Sequence, residues 1–288
     1  MEKALKPFEE LEFTDDFMFY QVMQDDSICI ELLETLLKTK IDHIERKELQ
    51  KELRPYYESK GVRFDAYLKD SNRIFNIEMQ QVINDELPKR TRYYQSILDT
   101  DMLLKGHDYT DLQETHIIFI CKKDPIGQGL PVYTFSTTCS ENKNIKLNDK
   151  TFKHFFNAEA ADSESDIAIK AFLKYIETRE SNNTLTDKIK TAVENIKKIQ
   201  DTKGAYMIEH LKIRDAMRRG LEEGIRQGLS QGIAQQKAKD EAIFKKNKET
   251  LAQKDNQINR QNTLLNSQAE QIRQLQARLK AAGLSTEL

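Results

Sequence analysis

Asp65, Glu78 and Gln80 have side chains suited to phosphate chemistry and a spacing that could bring them together. Asp65 lies in Val62-Arg63-Phe64-Asp65-Ala66-Tyr67-Leu68. A polar break follows at Lys69-Asp70-Ser71-Asn72, and then Arg73-Ile74-Phe75-Asn76-Ile77-Glu78-Met79-Gln80. Two β-branched and aromatic runs around a turn-like break predict a β-hairpin. Side chains alternate faces along a strand, which groups Phe64, Ala66 and Leu68 against Asp65 and Tyr67. It likewise groups Phe75, Ile77 and Met79 against Asn76, Glu78 and Gln80. With Ser71-Asn72 as a two-residue loop, Asp65 falls directly across from Glu78, on the same side of the sheet. Opposed like charges destabilise a strand pair, so the pair needs a reason, and a divalent cation is one. Mg²⁺ binds through one or two carboxylates plus substrate phosphate. It polarises a phosphoryl group and lowers the pKa of an attacking water. Gln80 could orient that water but brings no positive charge. Spacing alone favours a plainer account, a solvated hairpin face.

The elements around the hairpin must hold those residues. Thr14 or Asp15 could cap a short helix that carries Phe17 and Met18. From Ser27, apolar residues recur at helical spacing through Ile28, Leu32 and Leu36. Residues 44–53 fit a charged edge strand. Residues 87–104 read as a helix, with Lys89, Arg90 and Arg92 in its early turns, Tyr93, Tyr94, Ile97 and Leu98 among its apolar positions, and Gly106 as a stop. Residues 115–121 form the continuous apolar run of a strand buried on both faces, and residues 132–138 a further strand. Residues 141–157 are polar, then aromatic, and are left unassigned. Helix, strand, hairpin, helix and buried strand in that order predict a helix-flanked mixed sheet.

From Ser163 onward the chain reads as helix. Gly220, Gly224, Gly228 and Gly232 recur every fourth residue, each followed by an apolar residue. Glycine inside a helix costs about 1 kcal/mol, which close packing against a partner helix would offset. Phe244, Leu251, Ile258, Leu265, Ile272 and Leu279 recur every seventh residue. This is half of a coiled-coil seam; the other half is mostly polar, with Leu275 as the exception.

The 288 residues carry 32% charged and 38% hydrophobic side chains with a formal net charge of -2. That charge gives no global attraction to nucleic acid, so such binding must come from local patches. Cys29, Cys121 and Cys139 form no paired motif, which argues against a zinc site or a disulfide framework. No apolar run is long enough for a membrane span, and the first residues lack a signal-peptide pattern. A soluble, cytoplasmic protein is expected.

Five stretches, in order over roughly residues 8–140, carry a resemblance. They are Phe13-Thr14-Asp15-Asp16-Phe17-Met18-Phe19, Val62-Arg63-Phe64-Asp65, Asn76-Ile77-Glu78-Met79-Gln80, Lys89-Arg90-Thr91-Arg92-Tyr93-Tyr94 and Gly106-His107-Asp108-Tyr109. Together they resemble the PD-(D/E)XK nuclease family transposases, related to the Rpn family of recombination-promoting nucleases. The resemblance implies a restriction-endonuclease-like α/β core, Mg²⁺-dependent DNA cleavage and bacterial mobile-element or recombination associations. It implies that Asp65 and Glu78 are metal ligands and that Gln80 occupies the superfamily's lysine position. Asp16 or Glu31 is a candidate additional acid. Arg90 and Arg92 could contact phosphates, and Tyr93 and Tyr94 could serve substrate or packing.

The organisation expected is a nuclease-like core over residues 1–160, a helical region over 161–235 and a coiled-coil arm over 236–288 that joins copies of the chain. The leading reading is a Mg²⁺-dependent DNA endonuclease. The competing readings are a nuclease-fold DNA-binding or assembly module that does not cut, and a coiled-coil interaction protein with no DNA role.

Overall fold

The computed structural model describes residues 6–53, 60–82 and 85–281. It contains two compact units, Met1–His210 and Leu211–Leu288. Among the described residues, the first unit holds a six-stranded sheet. Its strands are β1 (Arg46–Leu53), β2 (Val62–Lys69), β3 (Arg73–Gln80), β4 (Glu114–Cys121), β5 (Val132–Phe135) and β6 (Thr151–Asn157), in the spatial order β1-β2-β3-β4-β6-β5. The β3–β4 and β4–β6 pairs are parallel and the others antiparallel.

The hairpin forms as its sequence predicts. The Asp70 amide donates to the Arg73 carbonyl at 3.0 Å, and Ser71-Asn72 makes the loop. Asp70 fixes that turn by accepting from the Asn72 and Arg73 amides, and it pairs with the Arg73 guanidinium. The ladder runs from Lys69↔Ile74 to Ala66↔Ile77, which brings Asp65 level with Glu78. A parallel neighbour requires a crossover of a dozen or more residues. Helix α3 (Leu87–Met102) supplies it between β3 and β4.

Strand β4 is buried at every position except Glu114, as its unbroken apolar run requires. Strand β6 is the element that sequence periodicity left unassigned. Phe152, Lys153, His154, Phe155 and Phe156 neither alternate cleanly nor form a wholly apolar run, and parallel pairing to β4 decides their conformation. Strand β5 is shorter than residues 132–138.

Apolar layers cover both sheet faces. On one, Phe75, Ile77, Met79, Ile118 and Ile120 meet α1 (Asp16–Val22), α2 (Asp26–Leu37), α4 (Ile167–Thr178) and α5 (Thr184–Lys198). On the other, Ile117, Phe119 and Phe155 meet Leu87, Tyr94, Ile97 and Leu98 of α3. Each such large side chain contributes about 1.5–3 kcal/mol on burial. Helix α2 begins where the Asp25 carboxylate accepts from the Ser27 and Ile28 amides. Helices α4 and α5 bury Phe172, Leu173, Leu185 and Ile189 in the sheet's own core, so the boundary expected near residue 160 falls inside the first unit.

Helix α6 spans Gln200–Ala281, and Leu211–Leu288 forms the second unit. Nothing stands within 4 Å of a Cβ built on Gly220, Gly224, Gly228 or Gly232. Among the described residues, no helix is long and apolar enough to cross a membrane.

Candidate active site

The β3 pleat places Phe75, Ile77 and Met79 in the larger core. Asn76, Glu78 and Gln80 therefore lie on the α3 side. Strand β2 does not keep a regular alternation. Ala66 and Leu68 join the larger core, while Phe64 packs with Tyr67 on the α3 side, edge-on to Tyr94. This corrects the expectation that Phe64 shares a face with Ala66 and Leu68. The strand turns over at Asp65. Its level neighbour on β1, Gln50, adopts φ 54°, and neither Asp65 nor Gln50 belongs to a registered pair. Side chains take up the freed backbone groups. The Met79 amide donates to Asp65 Oδ2 at 3.0 Å, and the Asp65 amide donates to Glu78 Oε1 at 3.3 Å. The two predicted carboxylates are thus brought together by the place where regular pairing stops.

Arg90, in the first turn of α3, completes the cluster. Its Nη2 donates to Glu78 Oε2 at 2.7 Å, its Nη1 to Gln80 Oε1 at 2.9 Å, and its Nε to the Tyr94 hydroxyl at 2.7 Å. The guanidinium lies 5.1 Å from the Tyr94 ring centre and 5.2 Å from that of Phe119. Two aromatic rings and three acceptors hold it in one pose. Burial works against its charge, but Glu78 and Tyr94 more than compensate and raise its pKa.

Glu78 is 1% exposed. Burial, then the charge of Asp65, pushes its carboxyl up to about 8, with Arg90 pulling the other way. Burial likewise raises Asp65 to about 6, with Asp16 adding to the rise and the Met79 amide and Arg90 opposing it. Two carboxyl groups, Glu78 buried and Asp65 half-buried, share one guanidinium. Asn76, wholly buried beside Glu78, adds an unspent group. It lies near enough to favour the ionised form of Glu78, yet neither amide atom has a partner at hydrogen-bond distance.

The other sequence candidates separate. Asp16, at the start of α1, acts on Asp65 through its charge; desolvation of its carboxyl raises its own pKa, and Arg63 opposes the rise. Glu31 pairs with Lys188 of α5 at 2.6 Å and serves helix packing. Tyr94 is buried and positions Arg90, while the Tyr93 hydroxyl donates to the Lys60 carbonyl at 2.6 Å. Arg92 is exposed, with no ion pair among the described residues. Gln80 is engaged at both ends, since its amide nitrogen donates to the Val82 carbonyl. Gln81 ties the end of β3 to the start of α1 by donating to the Thr14 carbonyl at 2.6 Å. Sequence reasoning did not single out Asn76 or the clamping role of Arg90. The one available signal for Asn76 was its place on the Glu78 face.

All the donors of this cluster are oxygens, as a hard divalent cation prefers. Asp65 Oδ1 makes no hydrogen bond among the described residues, the Glu78 carboxyl is buried beside a second carboxyl group, and the Asn76 amide oxygen is unpaired. Among the described residues, no group of three His, Cys, Asp or Glu side chains converges on one ion position. Two carboxylates suffice for a cation that keeps waters and takes substrate phosphate oxygens, so the residues fit such a cation.

A mixed six-stranded sheet between helices, with a long C-terminal helix, is the architecture of a PD-(D/E)XK nuclease-type protein. A family model described as PD-(D/E)XK nuclease family transposase matches residues 14–217, and the chain belongs to that family. No curated protein and no solved structure matches the chain.

Proposed function

We propose that this chain is a Mg²⁺-dependent DNA endonuclease associated with mobile elements or recombination, working in the cytoplasm as a homo-oligomer joined through its C-terminal helices. The observation that carries the reading is the Asp65–Glu78 pair of acids, the one half-buried and the other buried, at the break in the β2–β3 ladder. Such a pair costs stability in the free protein, and a bound dication removes that cost. When bound, the cation would polarise the phosphoryl group and lower the pKa of a coordinated water. Asp65 and Glu78 would hold it. Arg90 would present a fixed positive charge beside the reacting phosphate, where charge develops in the transition state. Tyr94 and Phe119 keep that charge aimed, and Arg92, exposed on the same helix, could bind a neighbouring phosphate.

One observation favours a second reading, a nuclease-fold module that binds DNA without cutting it. Gln80 is bonded to Arg90 and to Val82, so it must release one partner before it can orient a water. Plasmid nicking with Mg²⁺, compared between wild type, Asp65→Ala and Glu78→Ala, separates the two. The endonuclease reading expects cleavage lost in both variants; DNA binding by the wild type without cleavage across several metals supports the second.

A further inference from the structure

Among the described residues, the end of α6 carries an exposed apolar stripe. Phe244, Leu251, Ile258, Leu265, Ile272 and Leu279 are 41–73% exposed. They recur every seventh residue, the period that keeps one seam facing a partner helix once two helices supercoil. The alternate seam positions are Asn247, Lys254, Gln261, Gln268 and Leu275, polar except for the last. Ile243 and Leu264 flank the stripe and are also exposed.

We infer that this stripe pairs with the same stripe of a second copy of the chain, in a parallel, in-register, two-stranded coiled coil. The inference rests on the homo-oligomer proposed above and adds partner number, direction and register. Direction follows from the uneven seam. In a parallel pair in register each seam residue meets its own counterpart, so apolar layers alternate with polar ones. Leu251 meets Leu251, Ile258 meets Ile258, and Gln261 and Gln268 meet their own counterparts, whose amides can donate and accept in turn. In an antiparallel pair the two kinds of seam position face each other. Nearly every apolar residue would then meet an asparagine, lysine or glutamine, and the stripe would gain little from burial.

Register follows from the same pattern. A slip of one heptad keeps apolar layers but leaves residues unpaired at both ends, and it sets Leu275 against Gln268. Lys254 would repel its counterpart, but Asp255 follows it and stands at the neighbouring flanking position. In a parallel pair, Asp255 of the second copy lies within reach of Lys254. Partner number follows from the seam's narrowness. Larger bundles need a wider apolar face, and here the flanks are mainly polar.

Residues 244–281 form a helix roughly 57 Å long and about 10 Å across. A strip of that size from each copy gives on the order of 1,200 Å² in total, the lower end of the range for stable association. The glycine-bearing stretch lies outside this seam, because its four-residue repeat drifts around the helix.

The test uses the full chain in a Cys139→Ser background, since Cys29 and Cys121 are buried and Cys139 is partly exposed. Single cysteines are introduced as Lys254→Cys, Gln268→Cys and the outward-facing control Asn256→Cys. Mild oxidation should give covalent dimers for the first two and not the third, with light scattering reporting twice the chain mass before oxidation. In an antiparallel pair at most one residue level lies on the twofold axis. A dimer mass with cross-linking at only one of the two sites, or at neither, therefore overturns the direction. A mass of three or more chains overturns the partner number. A monomer mass overturns the underlying association, a separate failure from a wrong direction.

Discussion

Glu78→Gln should stabilise the metal-free protein, and only at high pH. In the fold the Glu78 carboxyl sits near 8 rather than its ordinary 4.5, through burial first and the Asp65 charge second. The folded state then holds a proton that the unfolded chain has released, and stability falls as pH rises from about 4.5 to about 8. At 1.36 kcal/mol per pH unit, the full span amounts to at most roughly 4–5 kcal/mol. Glutamine keeps the shape and removes that penalty. That value already includes the attraction of Arg90, whose Nη2 donates to Glu78 Oε2 at 2.7 Å. The variant should therefore match wild type within about 1 kcal/mol at pH 5, where Glu78 is protonated, and exceed it by roughly 3–4 kcal/mol at pH 8.5. At about 2–4 °C per kcal/mol, the high-pH gain is several degrees. Thermal and urea unfolding in EDTA across pH 5–8.5 would measure it. Excess Mg²⁺ should then raise the wild-type midpoint more than the variant's, because only a state that binds the ion gains from it. A difference that stays flat with pH would refute the reasoning, since Glu78 would then be ionised throughout, its charge met by Arg90 alone.

Arg90→Ala strips Glu78, Gln80 and Tyr94 of their shared donor. It should lower cleavage by about 100-fold or more, in keeping with losing one preorganised donor from such a site, while Arg90→Lys should restore only part of the rate. Equal activity in Arg90→Ala would remove the residue from the site. On the opposite sheet face, His116 Nδ1 and His154 Nε2 lie 3.1 Å apart. Burial lowers both pKa values, and that of His154 falls to about 3 with the charge of His116 adding to the effect. The unfolded chain gains protons first as pH falls below about 6.5, so this pair costs stability in acid. His154→Phe should gain about 2 kcal/mol relative to wild type on going from pH 7 to pH 5; a constant difference in equilibrium unfolding would contradict that.

Much of the site was legible because a two-residue turn fixes hairpin register. Ser71-Asn72 set the loop, and the pairing of Asp65 with Glu78 followed from counting along two strands. The flip of Phe64 was not legible, because it arises where β2 loses its pairing on both sides and Gln50 adopts a positive φ. Nor was the reach of Arg90. Its position in the first turn of α3 could be read, but its aim depends on where the crossover returns the helix over β3 and on the rings of Tyr94 and Phe119. Strand β6 needed its neighbour, since parallel pairing with β4 supplied what its mixed pattern did not. The N-terminal acids show the limit from the other side. Asp16 and Glu31 had similar standing in the sequence, and only packing sent one towards Asp65 and the other to Lys188.

The most direct test of the central claim is supercoiled-plasmid cleavage with purified wild type and with Asp65→Ala and Glu78→Ala, each in Mg²⁺ and in EDTA. The account predicts nicked or linear product from the wild type in Mg²⁺ alone, and none from either variant. Cleavage that persists in both variants, or in EDTA, would contradict it.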